Sequence, residues 1–302
     1  MTALSDYQFE ILPDESSADG FVFGLGAQVA VNPDGFDPGE VSWITQDSSN
    51  TRRGINAFGR DIPGARTWSW EGFLDGEDDI DALAIAEAFS SAWMPEELVK
   101  TPGALVPLRY RLAGRDRRIF GRPRRLSIPP TNLILNGYSD TSFDFQLVDG
   151  FSYDDLESSV NVPYSSSASG GGVTLPVVLP ALLGASTGSG VSQISVLGNR
   201  RTYPIIRFNG PWTNPVINFG IWSLAWNGSI PSGQWVEIDC RPWKLSVLNQ
   251  SGASVVDGLP PSMFLEDCYF PPNTQPQVAL AGSAPGGGAS ALVRWRNSWK
   301  SL

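Results

Sequence analysis

The chain has 302 residues and a mass of 32.6 kDa, enough for two domains that each bury a core. It carries 21 basic against 31 acidic side chains, a net charge of −10, and no histidine. The missing histidine removes Ser-His-Asp and Cys-His catalysis and every histidine-ligated zinc site, and the acidic balance argues against general nucleic-acid binding.

Residues 1–20 hold no Lys or Arg and no long apolar run, so no secretory signal is expected there. A turn cluster, NPDG at 32–35, follows a first strand region. Residues 41–70 pair strand-like apolar runs with a polar, turn-rich insert at 46–53. Trp68 and Trp70 then alternate with Thr67, Ser69 and Glu71, the period of a half-buried strand. Glu77 to Trp93 changes period, with apolar residues at 80, 83, 84 and 88, and predicts one helix closed by Pro95. The acids Asp75, Glu77, Asp78, Asp79 and Asp81 lack the spacing of an EF-hand and are read as complementing the helix dipole.

Eight of the 18 Arg fall between Arg109 and Arg125. Arg109 and Arg111 alternate with Leu108, Tyr110 and Leu112, which predicts a strand whose basic face meets water or another subunit. A nucleic-acid groove would interleave more aromatics than Tyr110 and Phe120. Phe143, Phe145 and Leu147 form another alternating strand, and Tyr164 to Gly172, YSSSASGGG, reads as flexible linker. The expected division is residues 1–155, a linker at 156–172, and a second domain at 173–302. Val173 to Ala185 is too short, and too broken by Pro176 and Pro180, to span a membrane.

The second half is strand-rich. Val236, Ile238 and Cys240 alternate with Trp235, Glu237 and Asp239, and near the end Val293 and Trp295 alternate with Arg294 and Arg296. Cys240 and Cys268, with no CxxC spacing, are expected to be buried thiols rather than a zinc site or disulfide framework. Glu237 and Asp239 share a strand face at roughly 6–7 Å, a glycosidase-like separation. Polar residues on an alternating strand face water in any case, so no catalytic residue, cofactor or metal ligand is assigned. Seven of the eleven Trp lie in this half; Trp212 and Trp235 are candidate glycan contacts, against the reading that tryptophans fill a core or subunit interface.

One string is more specific. Gly198-Asn199, Thr202-Tyr203-Pro204, Ile206, Phe208, Gly210-Pro211 and Asn214-Pro215 with Ile217 are followed by Gly233, Val236, Ile238 and Asp239, then by Val293-Arg294-Trp295-Arg296 and Trp299. Together they resemble the C-terminal domain of the distal tail proteins, also called minor tail proteins, of long non-contractile-tailed bacteriophages (siphophages), in a mycobacteriophage-like form. The order of elements in the first half resembles their N-terminal domain.

The resemblance implies a mainly β chain. Its N-terminal part would be a split β-barrel with one helix and a belt extension, and its C-terminal part a galectin-like or carbohydrate-module-like β-sandwich. It further implies a homohexameric ring at the virion tail tip, assembled in the host cytoplasm. Such a ring would join the tail tube protein to a tail-associated lysin-like hub protein, with other minor tail or receptor-binding proteins as further partners. The tape-measure protein and DNA would pass through without sequence-specific binding, and an acidic ring would repel phosphate. Ring contacts are expected in the 41–70 region, at Val41, Trp43, Ile44, Arg52, Arg53, Ile55, Phe58, Trp68 and Trp70. The alternatives are a carbohydrate-binding, host-receptor-binding tail component and, more remotely, a glycosidase fragment using Glu237 and Asp239.

Overall fold

The computed structural model describes residues 3–41, 43–50, 55–59, 61–64, 66–164, 192–283 and 288–300. The chain is mainly β and divides into two compact units, Met1–Asp155 with Trp299–Leu302, and Leu156–Ser298.

In the first unit the strands are β1 (Gln8–Ile11), β2 (Phe21–Gly24), β3 (Val29–Asp37), β4 (Trp43–Ile44), β5 (Ser48–Asn50), β6 (Ile55–Ala57), β7 (Ile62–Pro63), β8 (Thr67–Asp75), β9 (Val106–Leu112), β10 (Arg115–Ser127), β11 (Tyr138–Leu147) and β12 (Ser152–Asp154). The main sheet runs β2-β1-β9-β10-β11-β8-β3, antiparallel throughout, with β12 beside β10. Its end strands β2 and β3 are joined by only residues 25–28, so the sheet must curl until its edges are neighbours. Among the described residues no ladder joins them, which makes a split rather than a closed barrel.

Three helices accompany this sheet, where the sequence predicts one: α1 (Asp79–Trp93), α2 (Glu96–Lys100) and α3 (Pro130–Asn136). The short two contain too few turns to display a period, and Gly137 at φ 72° ends α3 in the left-handed conformation glycine tolerates. The acids before α1 cap it. Asp78 accepts the Asp81 N–H at 2.8 Å, and Asp81 accepts the Glu77 N–H at 3.1 Å. Ala82, Ile85, Ala86, Phe89 and Trp93 form its buried stripe.

The core they meet is aromatic. Trp70 lies opposite Phe143 and Trp68 opposite Phe145 across the β8–β11 ladder, and Trp70 stacks on Phe143 with centroids 5.4 Å apart. Phe9, Phe23, Phe89 and Trp93 complete the cluster.

The second unit contains β13 (Ser158–Pro163), β14 (Ser192–Gln193), β15 (Ile205–Asn209), β16 (Trp212–Asn218), β17 (Ser223–Ala225), β18 (Ser229–Ile230), β19 (Trp235–Asp239), β20 (Ser246–Asn249), β21 (Gln277–Ser283) and β22 (Ser290–Trp295). One sheet is β13-β22-β15-β19-β20, and a second is β14-β21-β16-β17 with β18 beside β16. Register aligns Val162, Ala291, Phe208 and Val236 in one inward row, and Val160, Val293, Ile206 and Ile238 in the next. These rows meet Trp212, Ile217, Leu224 and Val278 of the second sheet in a common core. Cys240 and Cys268 are both free and buried within it; a hydrogen bond donated to Cys268, and then burial, push the Cys240 thiol well up, which keeps it inert.

Two expectations about boundaries change. Residues 158–163 are not linker but strand β13, paired residue for residue with β22. Residues 165–172 lie outside the described residues. The chain's close departs too: Trp299, on the short strand β23 (Ser298–Trp299), belongs with the first unit, its indole donating to Asp154 at 2.7 Å under the Arg117 guanidinium.

Candidate assembly arm

The segment between β3 and β8 forms a ribbon outside the main sheet. Asp37 faces Ser69 in the β3–β8 ladder, Trp43 faces Pro63, and Ile44 faces Ile62, all in one continuous register. After a one-residue slip Ser48 faces Ala57 and Asn50 faces Ile55. β4 to β7 are therefore an outward continuation of the β3–β8 hairpin. Its outer thirteen residues per strand, at about 3.3 Å each, would reach some 40 Å if fully straight.

The root is fixed by specific bonds. Buried Arg66 donates from Nε to the Pro38 carbonyl at 2.7 Å, and its own carbonyl accepts the Leu147 N–H at 2.9 Å. Asp37 accepts the Gly39 N–H at 2.8 Å. Gly39 sits at φ +67° with the Thr67 carbonyl oxygen 2.3 Å from where a Cβ would lie, so no other residue fits that bend without a shift. Burial lowers the Arg66 pKa, opposed by Tyr110 and Asp37, yet a guanidinium starts so high that it stays charged at neutral pH. Farther out, Asp47 accepts the Gly59 N–H at 3.0 Å.

The expected ring contacts divide on this frame. Val41, Ile44 and Phe58 are exposed by 51, 57 and 83%, an unusual concession for apolar side chains on a thin ribbon. Trp43 and Ile55 hold ladder positions in β4 and β6, and Arg52 and Arg53 lie outside the described residues. Trp68 and Trp70 are corrected: at 1 and 0% exposure they fill the barrel core and offer nothing to a neighbour. Their alternation with Thr67, Ser69 and Glu71 was the signal for that inward face.

The basic strand region is corrected as well. Arg109, Arg117 and Arg118 are buried rather than wetted. Arg118 stands directly opposite Arg109 across the β9–β10 ladder, a repulsive pairing unless something anionic lies between. Asp155 fills that place, binding Arg109 at 2.9 Å and Arg118 at 2.7 Å, while Glu10 takes the other end of Arg109 at 2.5 Å. Glu10 also accepts the Gly20 N–H at 2.7 Å. The four charges cancel. Sequence alone misses this because Glu10 and Asp155 are remote in the chain; the isolated Glu10 between Phe9 and Ile11 was the available clue.

In the second unit the two carboxylates singled out above are neutralised separately. Glu237 binds Arg207 at 2.7 Å and Arg294 at 2.8 Å, and Asp239 binds Arg241 at 2.7 Å. Asp239 is buried, contrary to the expected wet face. A general acid and base would need carboxyl groups not already committed to ion pairs, which neither carboxylate is. Trp212 is also corrected: it is buried, donates to the Ser290 carbonyl and packs on Tyr164, so it is no sugar platform. Trp235 is half-buried, with the Arg207 guanidinium 4.3 Å over its ring.

No protein-family model and no curated protein matches the chain. Solved structures do. The Dit protein of phage SPP1, described as a paradigm of the hub adsorption apparatus in phages infecting Gram-positive hosts, is 12% identical and superposes with a TM-score of 0.58, over 96% of this chain and 98% of its own. A chain of the phage P2 baseplate in its activated conformation matches with calcium at a TM-score of 0.58 and with strontium at 0.59, each 11% identical and covering 98% of this chain and 99% of that one. From end to end, this chain has the fold of the phage distal tail proteins.

Proposed function

We propose that the chain is a structural subunit of a siphophage tail tip, closing with copies of itself into a six-membered ring between the tail tube and the tip hub protein. The observation that carries this reading is the exposed apolar arm: a ribbon continuing the β3–β8 ladder outward, pinned at its root and bearing Val41, Ile44 and Phe58 in the open. A lone subunit gains nothing from such a limb, and an arm meeting a different surface on the next copy generates a ring when the rotation closes. The end-to-end fold match to the SPP1 Dit protein supports it. No reaction is assigned, in keeping with the missing histidine and with carboxylates already held by arginines. The sugar-binding alternative rests on Trp235 alone, one face of which Arg207 covers, and no further observation favours it.

The test is the absolute mass of the purified chain by size-exclusion chromatography with light scattering. Six copies of the 32.6 kDa chain give about 196 kDa. A species of that mass, six-fold in negative stain, is the expected result. A monomer at every concentration, unchanged by tail-tube or hub protein, would overturn the ring.

A further inference from the structure

The two cysteines of the second unit meet where β15 changes neighbour. The β15–β19 ladder ends with Ile205 opposite Asp239, and one residue on, the Cys240 N–H still donates to the Pro204 carbonyl at 3.1 Å. At Thr202 a different segment has taken over: Phe270 accepts the Thr202 N–H at 3.0 Å and donates to its carbonyl at 2.8 Å. Alternate residues of a strand bond along the same edge, so Phe270 stands where β19 would have continued. Counting back along that antiparallel line, Cys268 falls level with Pro204, the residue Cys240 already faces. One chain leaves the edge as the other joins it, with a cysteine on each side of the exchange.

Both side chains turn inward. Cys240 continues the buried row of Val236 and Ile238, and Cys268 shares the inward side with Phe270. The two thiols are hydrogen-bonded to each other, and Cys268 Sγ also lies 3.7 Å from the Phe264 carbonyl oxygen and 4.0 Å from the Met263 sulfur. A disulfide needs Cα atoms within about 7 Å and converging Cβ bonds, which adjacent inward positions at one level of a sheet supply.

We propose that Cys240 and Cys268 are a latent disulfide, reduced as the chain folds and joined when it meets an oxidising small-molecule disulfide. The reaction is thiol–disulfide exchange. The Cys268 thiolate attacks one sulfur of the small disulfide, breaking its S–S bond and expelling one thiolate. Cys240, giving up its proton to water, then attacks the Cys268 sulfur and expels the second thiolate. Two electrons pass from the cysteine pair to the small disulfide, which leaves as two thiols carrying the two cysteine protons. The hydrogen bond from Cys240 lowers the Cys268 pKa against burial and the Asp267 charge, so Cys268 is the better first nucleophile. It is also the more reachable, because the preceding residues 261–267 are all exposed or half-buried.

The bond would close residues 240–268 into a loop that holds β20 and the exposed Val256 and Phe264, fastening that excursion to the sandwich. This chemistry stands apart from the ring reading. That reading supplies an occasion for it, since a tail-tip subunit passes from a reducing cytoplasm to oxidising surroundings when particles leave the cell.

The experiment equilibrates the folded full chain in glutathione buffers from fully reduced to fully oxidised, quenches with acid, alkylates with N-ethylmaleimide in denaturant and weighs the intact protein. Oxidation is expected to give a chain two hydrogens lighter that takes up no maleimide, with Cys240 and Cys268 in one linked peptide. Its Tm should rise by about 5–15 °C over the reduced chain, because the cross-link restrains the unfolded state. Cys240→Ser should stop at one glutathione on Cys268, and Cys268→Ser should take up glutathione about tenfold more slowly or worse. Two maleimides on the chain at the most oxidising ratio would overturn the proposal. So would a stable glutathione adduct on the wild-type chain, or disulfides joining separate chains. The wild-type result depends on no variant folding and on no oligomer, so a failed disulfide leaves the ring untouched and a failed ring leaves the disulfide.

Discussion

Asp155 holds two guanidiniums that the sheet register forces against each other. Arg109 and Arg118 face across β9 and β10, and the carboxylate binds both at under 3 Å while Glu10 completes the balance. A buried group of this kind adds little over apolar packing, but breaking it strands charge in a low dielectric. Asp155→Asn should therefore cost about 3–5 kcal/mol, read as a lower urea midpoint, with Arg118 left uncompensated. An unchanged midpoint would mean water reaches the site. These residues also mark a limit of sequence reading. Alternation correctly separated the two faces of β9, but an arginine on the polar face looks the same whether it meets water or a distant aspartate. The same blindness applied to Asp239, whose partner Arg241 lay only two residues away yet on a turn that no period announces.

Long strands and the long helix were legible because each repeats its period several times. β8, β11, β19 and β22 follow the alternation read from Trp68, Phe143, Val236 and Val293, and α1 runs to Trp93 as expected, but its inward face was misread: the positions singled out, 80, 83, 84 and 88, are all exposed, and the buried stripe is Ala82, Ile85, Ala86, Phe89 and Trp93. α2 and α3 were not, since five and seven residues hold too little pattern. The arm was half legible: its region stood out, but the tryptophans at its end were assigned outward when the ladder turns them inward. Arg66 offers a test at this scale. Its Nε bond to Pro38 ties the ribbon to the barrel, and a charged hydrogen bond of this kind contributes about 1.5–3 kcal/mol. Arg66→Gln should speed hydrogen exchange across residues 38–64 while leaving β9 and β11 protected. Uniform acceleration through the barrel would instead make Arg66 a core residue rather than a root for the arm.

The whole-chain match at 12% identity shows how little of a β fold is written in particular residues. Two layers, a split barrel and a sandwich are specified by alternation, turn chemistry and one amphipathic helix, which many sequences share. The second boundary was missed for the same reason. A glycine-serine run marks flexibility, but β13 precedes it and already belongs to the sandwich.

The return of Trp299 to Asp154 and Arg117 has a consequence for the second unit as a whole. The sandwich is an insertion, threaded into the barrel's chain after Asp155 and released before Trp299. It is therefore a cassette with two covalent ends rather than a tail. Stopping the chain at Ser298 should destabilise the barrel by removing its latch, whereas excising residues 157–297 and bridging the gap with a short glycine-serine loop should leave the barrel folded, with its thermal transition intact. A module of similar end spacing should therefore be able to replace residues 157–297 without changing the barrel's own ladders.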